Sequence, residues 1–221
     1  MKVYLTRTTR VIFGLFLFAL GSYLTIQANI GLAPWEAFGT GCNLTFGISY
    51  GNATVLTGLA ILAFSVFLKE KIGLGTILNT VLIGKFVDLL KWLAPVPYMT
   101  SFAAGVLLLL LGQFVVAVGS WLYMGGAMGS GPRDSLMVAL DKRFPRVPIG
   151  VIRGAIEAVA LGFGWLMGAP VGAGTIIAVC SIGFIVQFTF KLFRFDAGQI
   201  RHESVVDTFV NVKRAAVTPN V

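Results

Sequence analysis

A short pattern occurs twice in this chain of 221 residues. Residues 31–38 read GLAPWEAF and residues 129–136 read GSGPRDSL, which places their prolines 98 positions apart. A second pair follows, GLGTI at 73–77 and GAGTI at 172–176, at a spacing of 99. Because both pairs keep nearly the same spacing, they predict that one unit of about a hundred residues has been used twice.

The two units are too apolar for a soluble domain. The chain is 57% hydrophobic and 12% charged, with a mean hydropathy of +0.87, whereas soluble domains carry about 25% charged residues. The sequence therefore predicts an integral membrane protein.

Composition also excludes several classes of function. The net charge of +8 comes from basic residues beside apolar runs, which is typical of membrane topology and not of nucleic-acid binding. Cys42 and Cys180 match no metal or redox spacing, and His202 is the only histidine. We therefore expect no metal, no cofactor and no enzymatic activity.

Six apolar runs are each long enough to cross the bilayer as a helix. They cover residues 11–26, 52–68, 73–93, 102–123, 149–167 and 175–193. We assign residues 1–10 to an N-terminal segment, 11–96 to a first repeat, 97–193 to a second repeat and 194–221 to a tail. Each repeat is expected to contain three spans and one short helix that begins at the proline of the motif, 34–46 and 132–142. The tail is either disordered or a surface helix with an apolar face, formed by Ile200, Val205, Val206, Phe209 and Val210.

The basic residues predict the orientation of the spans. Of the 17 lysines and arginines, all except Lys85, Lys91 and Arg153 lie in residues 1–10, 69–72, 124–148 and 191–221. The alternate connections, residues 27–51, 94–101 and 168–174, contain none. The positive-inside rule then places both termini in the cytoplasm of a bacterial plasma membrane.

Three spans per repeat is an odd number, so the second repeat must enter the membrane from the opposite side. The expected fold is therefore an all-α membrane protein with six transmembrane helices in two inverted three-helix repeats. Each repeat adds a short helix or re-entrant segment led by proline. Inverted repeats are a common plan of secondary transporters, in which the two halves exchange conformations.

The proline motifs supply the first candidate site residues. Proline suits the first position of a helix, so Pro34 and Pro132 place Glu36 and Asp134 in the first turn, near free amides and the positive helix end. Each carboxylate either caps its own helix or helps to bind a ligand, as in discontinuous transporter helices. The intervening residues differ, because Trp35 in one copy corresponds to Arg133 in the other.

Further candidates lie in the glycine pairs and inside the spans. Thr76 and Thr175 follow the paired glycines, which serve either close helix packing or a ligand. Inside the spans, Lys85 and Asp88 can neutralise each other, as can Arg153 and Glu157. Asp88 corresponds to Gln187 in the second repeat, so a polar group occupies the same place in both. The charged residues inside the spans have either a structural role or a place on a solute pathway. Gln113 is expected to form a bond between helices.

The motifs resemble those of the YczE/YitT-type bacterial integral membrane proteins. The matching stretches are residues 31–36 (GLAPWE), 47–51 (GISYG) and 73–79 (GLGTILN) with Gly84. The chain departs from that pattern in having Ala33 for a frequent glycine and Glu36 for a frequent aspartate. The resemblance implies a multi-pass protein of the bacterial plasma membrane that acts as a transporter or as an accessory of secretion, and it supplies no catalytic residues.

Two hypotheses follow for the function. The first is a small secondary transporter or exporter of a small solute, coupled to protons or cations and working by alternating access between the repeats. The alternative is a non-transporting scaffold or accessory protein of a secretion or biosynthesis complex. In both cases the lipid bilayer is a partner and nucleic acid is not. The sequence leaves open whether the chain forms homo-oligomers.

Overall fold

The structure is a computed structural model that describes residues 2–200 and 202–217. Within those residues the chain forms a helical bundle without strands. Its helices are α1 (Lys2–Gln27), α2 (Pro34–Phe46), α3 (Tyr50–Phe67), α4 (Leu74–Leu93), α5 (Phe102–Met124), α6 (Pro132–Arg143), α7 (Ile149–Leu166), α8 (Ala173–Leu192) and α9 (Val205–Val217). A 3-10 turn at Ala197–Gln199 precedes α9.

Five of the described helices are long and apolar enough to cross a membrane. They are α1 from Tyr4, α3, α5, α7 and α8. The helix α4 has the length of a span, 20 residues, but it carries Lys85, Asp88 and Lys91. The protein is thus an all-α, multi-pass membrane protein, and a sixth span formed by α4 stays a prediction.

The helix bounds follow the predicted ones closely except at the N-terminus. The helix α1 begins at Lys2 and so includes residues 2–10, because nothing in that stretch breaks a helix. The two short helices begin at Pro34 and Pro132 as predicted. Proline suits this position because amide hydrogens in the first helical turn have no partner within the helix, so the one that proline lacks is not missed.

Helices α1 and α5 form the centre of the bundle through paired glycines. A β-carbon on Gly21 would lie 2.5 Å from the Gly112 carbonyl oxygen, and one on Gly119 would lie 2.7 Å from that of Gly14. Such contacts let the two backbones touch, which is how small residues hold helices together in lipid. Outside this contact, α4 packs on α1 and α8 packs on α5.

Loops from distant parts of the chain meet at the two ends of the bundle. At one end, here the Gln27 end, the Gln27 carbonyl accepts from the Met99 amide at 2.9 Å, and Gly174 N donates to Ile30 O at 2.8 Å. At the other, the Arg7 end, Gly75 N donates to Met128 O at 2.6 Å. The last two bonds have the same form, a glycine of the GxGT stretch bonded to the residue that precedes the proline motif of the other half.

The tail is ordered as a helix over the described residues. Glu203 forms a salt bridge with Arg7 at 2.8 Å, and Val205 N donates to Ile72 O at 2.9 Å, so α9 is attached to the Arg7 end. Four of the five apolar tail residues predicted to share a face lie on α9 and are exposed: Val205, Val206, Phe209 and Val210. Ile200 precedes the helix and does not belong to that face, because the chain turns between Ala197 and the start of α9.

Candidate functional site

The two proline motifs meet in the interior of the bundle. The Arg133 guanidinium lies over the Trp35 ring, 4.2 Å from its centroid. A cation over an indole face at this distance is attracted by the ring quadrupole. Trp35 and Arg133 are therefore direct partners, although they occupy equivalent positions in the two motifs and differ completely in chemistry.

The motif carboxylates bond to the preceding long helices. Glu36 accepts from the Ser22 hydroxyl of α1 at 3.2 Å, and Asp134 accepts from the Tyr123 hydroxyl of α5 at 3.3 Å. In the described structure neither side chain is seen to cap its own helix. Each carboxylate instead fastens the start of its short helix to a central helix.

A small central cavity lies beside the pair of Trp35 and Arg133. Its volume is about 30 Å³, enough for about one water molecule. Its polar lining includes Ser22, Tyr50, Thr54, Thr57, Asn79 and Thr80, together with Arg133. The cavity therefore combines one guanidinium with hydroxyl and amide groups from α1, α3 and α4.

The sequence did not single out most of these cavity residues. Thr54 and Thr57 are three positions apart in a largely apolar span, and Asn79 and Thr80 lie in another. Polar residues at helical spacing inside a span were the available signal. Pro132 also lines the cavity, whereas Pro34 is buried at the start of α2 without lining it.

The two GxGT threonines act as helix caps. The Thr76 hydroxyl accepts from the Gly73 amide at 3.3 Å, and the Thr175 hydroxyl accepts from the Gly172 amide at 3.2 Å. Both threonines are buried, and neither lines the central cavity. Their neighbour across the contact is a glycine with a positive φ, Gly129 or Gly31.

Asp88 holds α3 against α4. Its carboxylate accepts from the Ser49 hydroxyl and, at 2.8 Å, from the Gly51 amide. Gly51 and Gly84 lie backbone to backbone, and a β-carbon on Gly84 would be 2.5 Å from the Gly51 carbonyl oxygen. These three contacts are called here the α3–α4 latch.

The predicted pairing of Lys85 with Asp88 is wrong. Lys85 Nζ donates to Asn52 Oδ1 at 2.7 Å, while Asp88 bonds to the start of α3. Both side chains point across to the neighbouring helix, because the close contact between α3 and α4 offers partners there. The pair predicted on α7 is present, since Arg153 and Glu157 lie 3.1 Å apart.

No counterpart of the latch holds α7 to α8. The glycines that correspond to Gly51 and Gly84 are Gly150 and Gly183, and a β-carbon on either would meet nothing within 4 Å. Gln187, which corresponds to Asp88, is exposed. Within the described chain α3 packs closely on α4, while α7 makes almost no contact with α8.

Gln113 provides the predicted bond between helices. Its side-chain amide donates to the Ala178 carbonyl of α8 at 2.8 Å and its side-chain oxygen accepts from Ser181 at 2.6 Å. This polar contact helps to keep α8 on α5, although α8 makes almost no contact with α7.

A large apolar groove lies beside the central cavity. It has a volume of about 520 Å³ and is lined by residues of α2, α3, α6 and α7 and of the α6–α7 connection. Its lining contains one polar residue, Thr57, and no charged residue. Trp35, Phe38, Thr57 and Ile61 line both the groove and the central cavity, so the two spaces are neighbours.

Two titratable groups with shifted pKa values lie outside the spans, at the docked tail. Burial lowers the pKa of His202, and the charge of Asp134 partly opposes that shift. Hydrogen bonds from Ser204 lower the pKa of Asp207. The docked tail thus favours a neutral His202 and an ionised Asp207.

Comparison with known proteins places this architecture in a family. The chain matches the profile of the family of unknown function DUF6198 over residues 5–191. The chain belongs to that family. It is 32% identical over 178 residues to the uncharacterized membrane protein YczE of Bacillus subtilis (strain 168), which covers 80% of this chain and 81% of YczE.

Two further relatives cover similar shares of the chain. An uncharacterized protein of Haemophilus influenzae is 32% identical over 80% of each chain. The uncharacterized protein YyaS of Bacillus subtilis is 27% identical over 79% of this chain and 87% of YyaS. No solved structure gives a significant match. The family membership confirms the resemblance carried by the motifs.

Proposed function

We propose that this protein is a small secondary transporter of the bacterial plasma membrane, working by alternating access between two inverted repeats. In this proposal α4 is the sixth span. The first repeat contains α1 to α4 and the second contains α5 to α8. The two short helices α2 and α6 carry the centre of the solute pathway.

Equivalent contacts in the two halves support the repeat. Gly75 N bonds to Met128 O, and Gly174 N bonds to Ile30 O. Helix α4 packs on α1 as α8 packs on α5, and α2 packs on α7 as α6 packs on α3. These pairs exchange under a two-fold rotation that relates the halves, which is the relation expected of inverted repeats.

The single observation that carries the transport proposal is a difference between two helix pairs that the repeat makes equivalent, α3–α4 and α7–α8. The α3–α4 latch is closed, whereas a β-carbon on either of the equivalent glycines of α7 and α8 would meet nothing within 4 Å. In alternating access, two halves of the same design hold opposite conformations and then exchange them. One closed and one open helix pair is the arrangement that such a cycle requires in either end state.

The predicted orientation gives this state a direction. The latch lies toward the Gln27 end, whose connections contain no lysine or arginine. Gly150 and Gly183 lie toward the Arg7 end, where the basic residues gather. If that end is cytoplasmic, the described state is closed to the outside and open to the cytoplasm. Asp88 and Glu36 are then the proposed carriers of a coupled proton or cation, with Asp134.

Pairs of spin labels at equivalent positions test the proposal without knowledge of the solute. One pair, Asn52 and Leu93, spans α3 and α4, and the equivalent pair, Val151 and Leu192, spans α7 and α8; all four residues are exposed. Labels would be attached to cysteines in a background in which Cys42 and Cys180 are replaced. Double electron–electron resonance in nanodiscs measures both distance distributions.

We expect two populations for each pair, short and long, because the halves exchange conformations. The first pair should be mainly short and the second mainly long. A control pair of labels on Phe102 and Phe144, two exposed residues outside these four helices, gives the width of the distance distribution expected when no helix pair changes conformation. One narrow distance for each of the test pairs would contradict transport by alternating access and would favour the scaffold.

A further inference from the structure

We propose that the central cavity and the apolar groove together bind a single-chain amphiphile with an oxyanion head, such as a long-chain carboxylate. Its head is held by Arg133, with one oxyanion oxygen in the water-sized central cavity, and its chain lies in the groove. This inference rests on the proposed function, because it names the class of solute that the transporter would carry.

The head site follows from the bonding of Arg133. Among the residues that the structure describes, no carboxylate oxygen lies within 4 Å of its guanidinium. A guanidinium has five N–H donors in a planar fork that fits an oxyanion. The Trp35 ring covers one face of Arg133 and supplies no oxygen acceptor, so the donors at the cavity are left for water or for a ligand.

The nearby carboxylates are engaged elsewhere. Glu36 accepts from Ser22, Asp134 accepts from Tyr123, and Glu157 is paired with Arg153. Among the described residues, none of these carboxylates lies within salt-bridge distance of the Arg133 guanidinium. A ligand oxyanion can therefore bind the guanidinium without displacing an existing ion pair.

The chain site follows from the groove and its position. Its volume of about 520 Å³ lies in the range of about 300–1,000 Å³ that is usual for small-molecule sites. Trp35 and Phe38 line both spaces, so the groove is the apolar space next to Arg133, and in this proposal the chain of the ligand passes beside these two side chains into it. This groove can hold the chain of a ligand whose head lies at Arg133. A ligand with one chain per head therefore fits better than a two-chain lipid.

The test is binding of a dansyl-labelled undecanoic acid to the full chain in nanodiscs of zwitterionic lipid. The uncharged methyl ester of the same probe is the matched ligand. The variants are Arg133→Gln, Arg133→Lys and Ala155→Trp, which fills the groove without touching Arg133. Arg143→Gln is the matched control, because it removes an exposed positive charge from the same helix.

We expect the original protein and Arg143→Gln to bind the acid at least tenfold more tightly than the ester. Arg133→Gln should bind the two probes equally, and Arg133→Lys should keep part of the preference for the acid. Ala155→Trp should weaken binding of both probes. Retained ester binding by Arg133→Gln shows that this variant is folded.

Three results would overturn the inference. They are an unchanged preference for the acid in Arg133→Gln, an equal loss in Arg143→Gln, and competition only by two-chain anionic phospholipid. Binding is read without transport, so these results are independent of the spin-label distances. A failure here together with two-state distances would leave the transporter proposal standing.

Discussion

At the scale of single residues, the same residue type has opposite roles in the two halves. A β-carbon on Gly84 would press on the Gly51 backbone, whereas one on Gly183 would meet nothing within 4 Å. Glycine in a helix costs about 0.5–1 kcal/mol relative to alanine. That cost is offset by packing at Gly84 and is not offset in the described state at Gly183.

The pair of variants Gly84→Ala and Gly183→Ala should therefore differ in sign. We expect Gly84→Ala to lower the free energy of unfolding by about 1–3 kcal/mol, because extra atoms in a packed contact force the backbones apart. Gly183→Ala should leave stability unchanged or raise it by less than about 1 kcal/mol. Thermal unfolding in the same detergent measures both. Equal destabilisation by the two would mean that α7 and α8 are packed like α3 and α4.

The residues of the candidate site were predictable in part. The proline motifs drew attention to Trp35, Glu36, Arg133 and Asp134, because residues repeated at one spacing stand out in the sequence. The sequence could not reveal that Arg133 stacks on Trp35, since that contact depends on how the two halves pack. The partners of Asp88 were missed for the same reason: its neighbour on α4, Lys85, is close in sequence, but its bonds go to Ser49 and Gly51.

At the scale of elements, the sequence of the tail left two alternatives open, a surface helix or disorder, and contacts in the structure decide between them. The apolar spacing in residues 205–210 favoured a helix but did not exclude disorder. Ser204 and Asp207 bond reciprocally at the start of α9, with Asp207 N donating to Ser204 Oγ at 3.1 Å and Ser204 N donating to Asp207 Oδ2 at 3.0 Å. This capping pair and the Arg7–Glu203 bridge explain why the helix forms and where it docks.

Docking of the tail should depend on pH through His202. Burial lowers the pKa of His202 in the docked state, so the released tail binds a proton more readily. Docking is then fully stable above the ordinary histidine pKa of about 6.5 and weakens as the pH falls below it. The mobility of a spin label on an Asn211→Cys variant should rise between about pH 7.5 and 5.5.

The control for this experiment is His202→Gln, which removes the titrating group from the tail. The label should then keep the same mobility over that pH range. An unchanged pH response in His202→Gln would assign the effect to another group and contradict the role of His202.

At the scale of the whole molecule, the helix bounds were the most predictable feature and the conformational state the least. Apolar runs and prolines set the bounds of α2 to α8 to within two residues, because both act locally. Packing of α7 against α8 depends on tertiary contact between the two helices, and their sequences allow both a packed and an unpacked arrangement. Gly150 and Gly183 correspond to a pair that does touch, so their sequence alone gives no sign of the open state.

In the proposed transport cycle, closing one helix pair and opening the other are a single event. Asp88→Asn tests it, because the variant weakens the α3–α4 latch and leaves α7 and α8 unaltered. Charged hydrogen bonds are about twice as strong as neutral ones, and two of them contribute here. We expect this change to shift the balance between the two states by about tenfold, since about 1.4 kcal/mol corresponds to that factor.

The most direct measurement is therefore the distance between labels at Val151 and Leu192, compared between the original protein and Asp88→Asn. Asp196→Asn, the same change on the connection after α8, is the matched control. We expect Asp88→Asn to move the distance distribution from long toward short distances, and Asp196→Asn to leave it unchanged. A distribution unaffected by Asp88→Asn would contradict coupling between the two helix pairs, and with it alternating access.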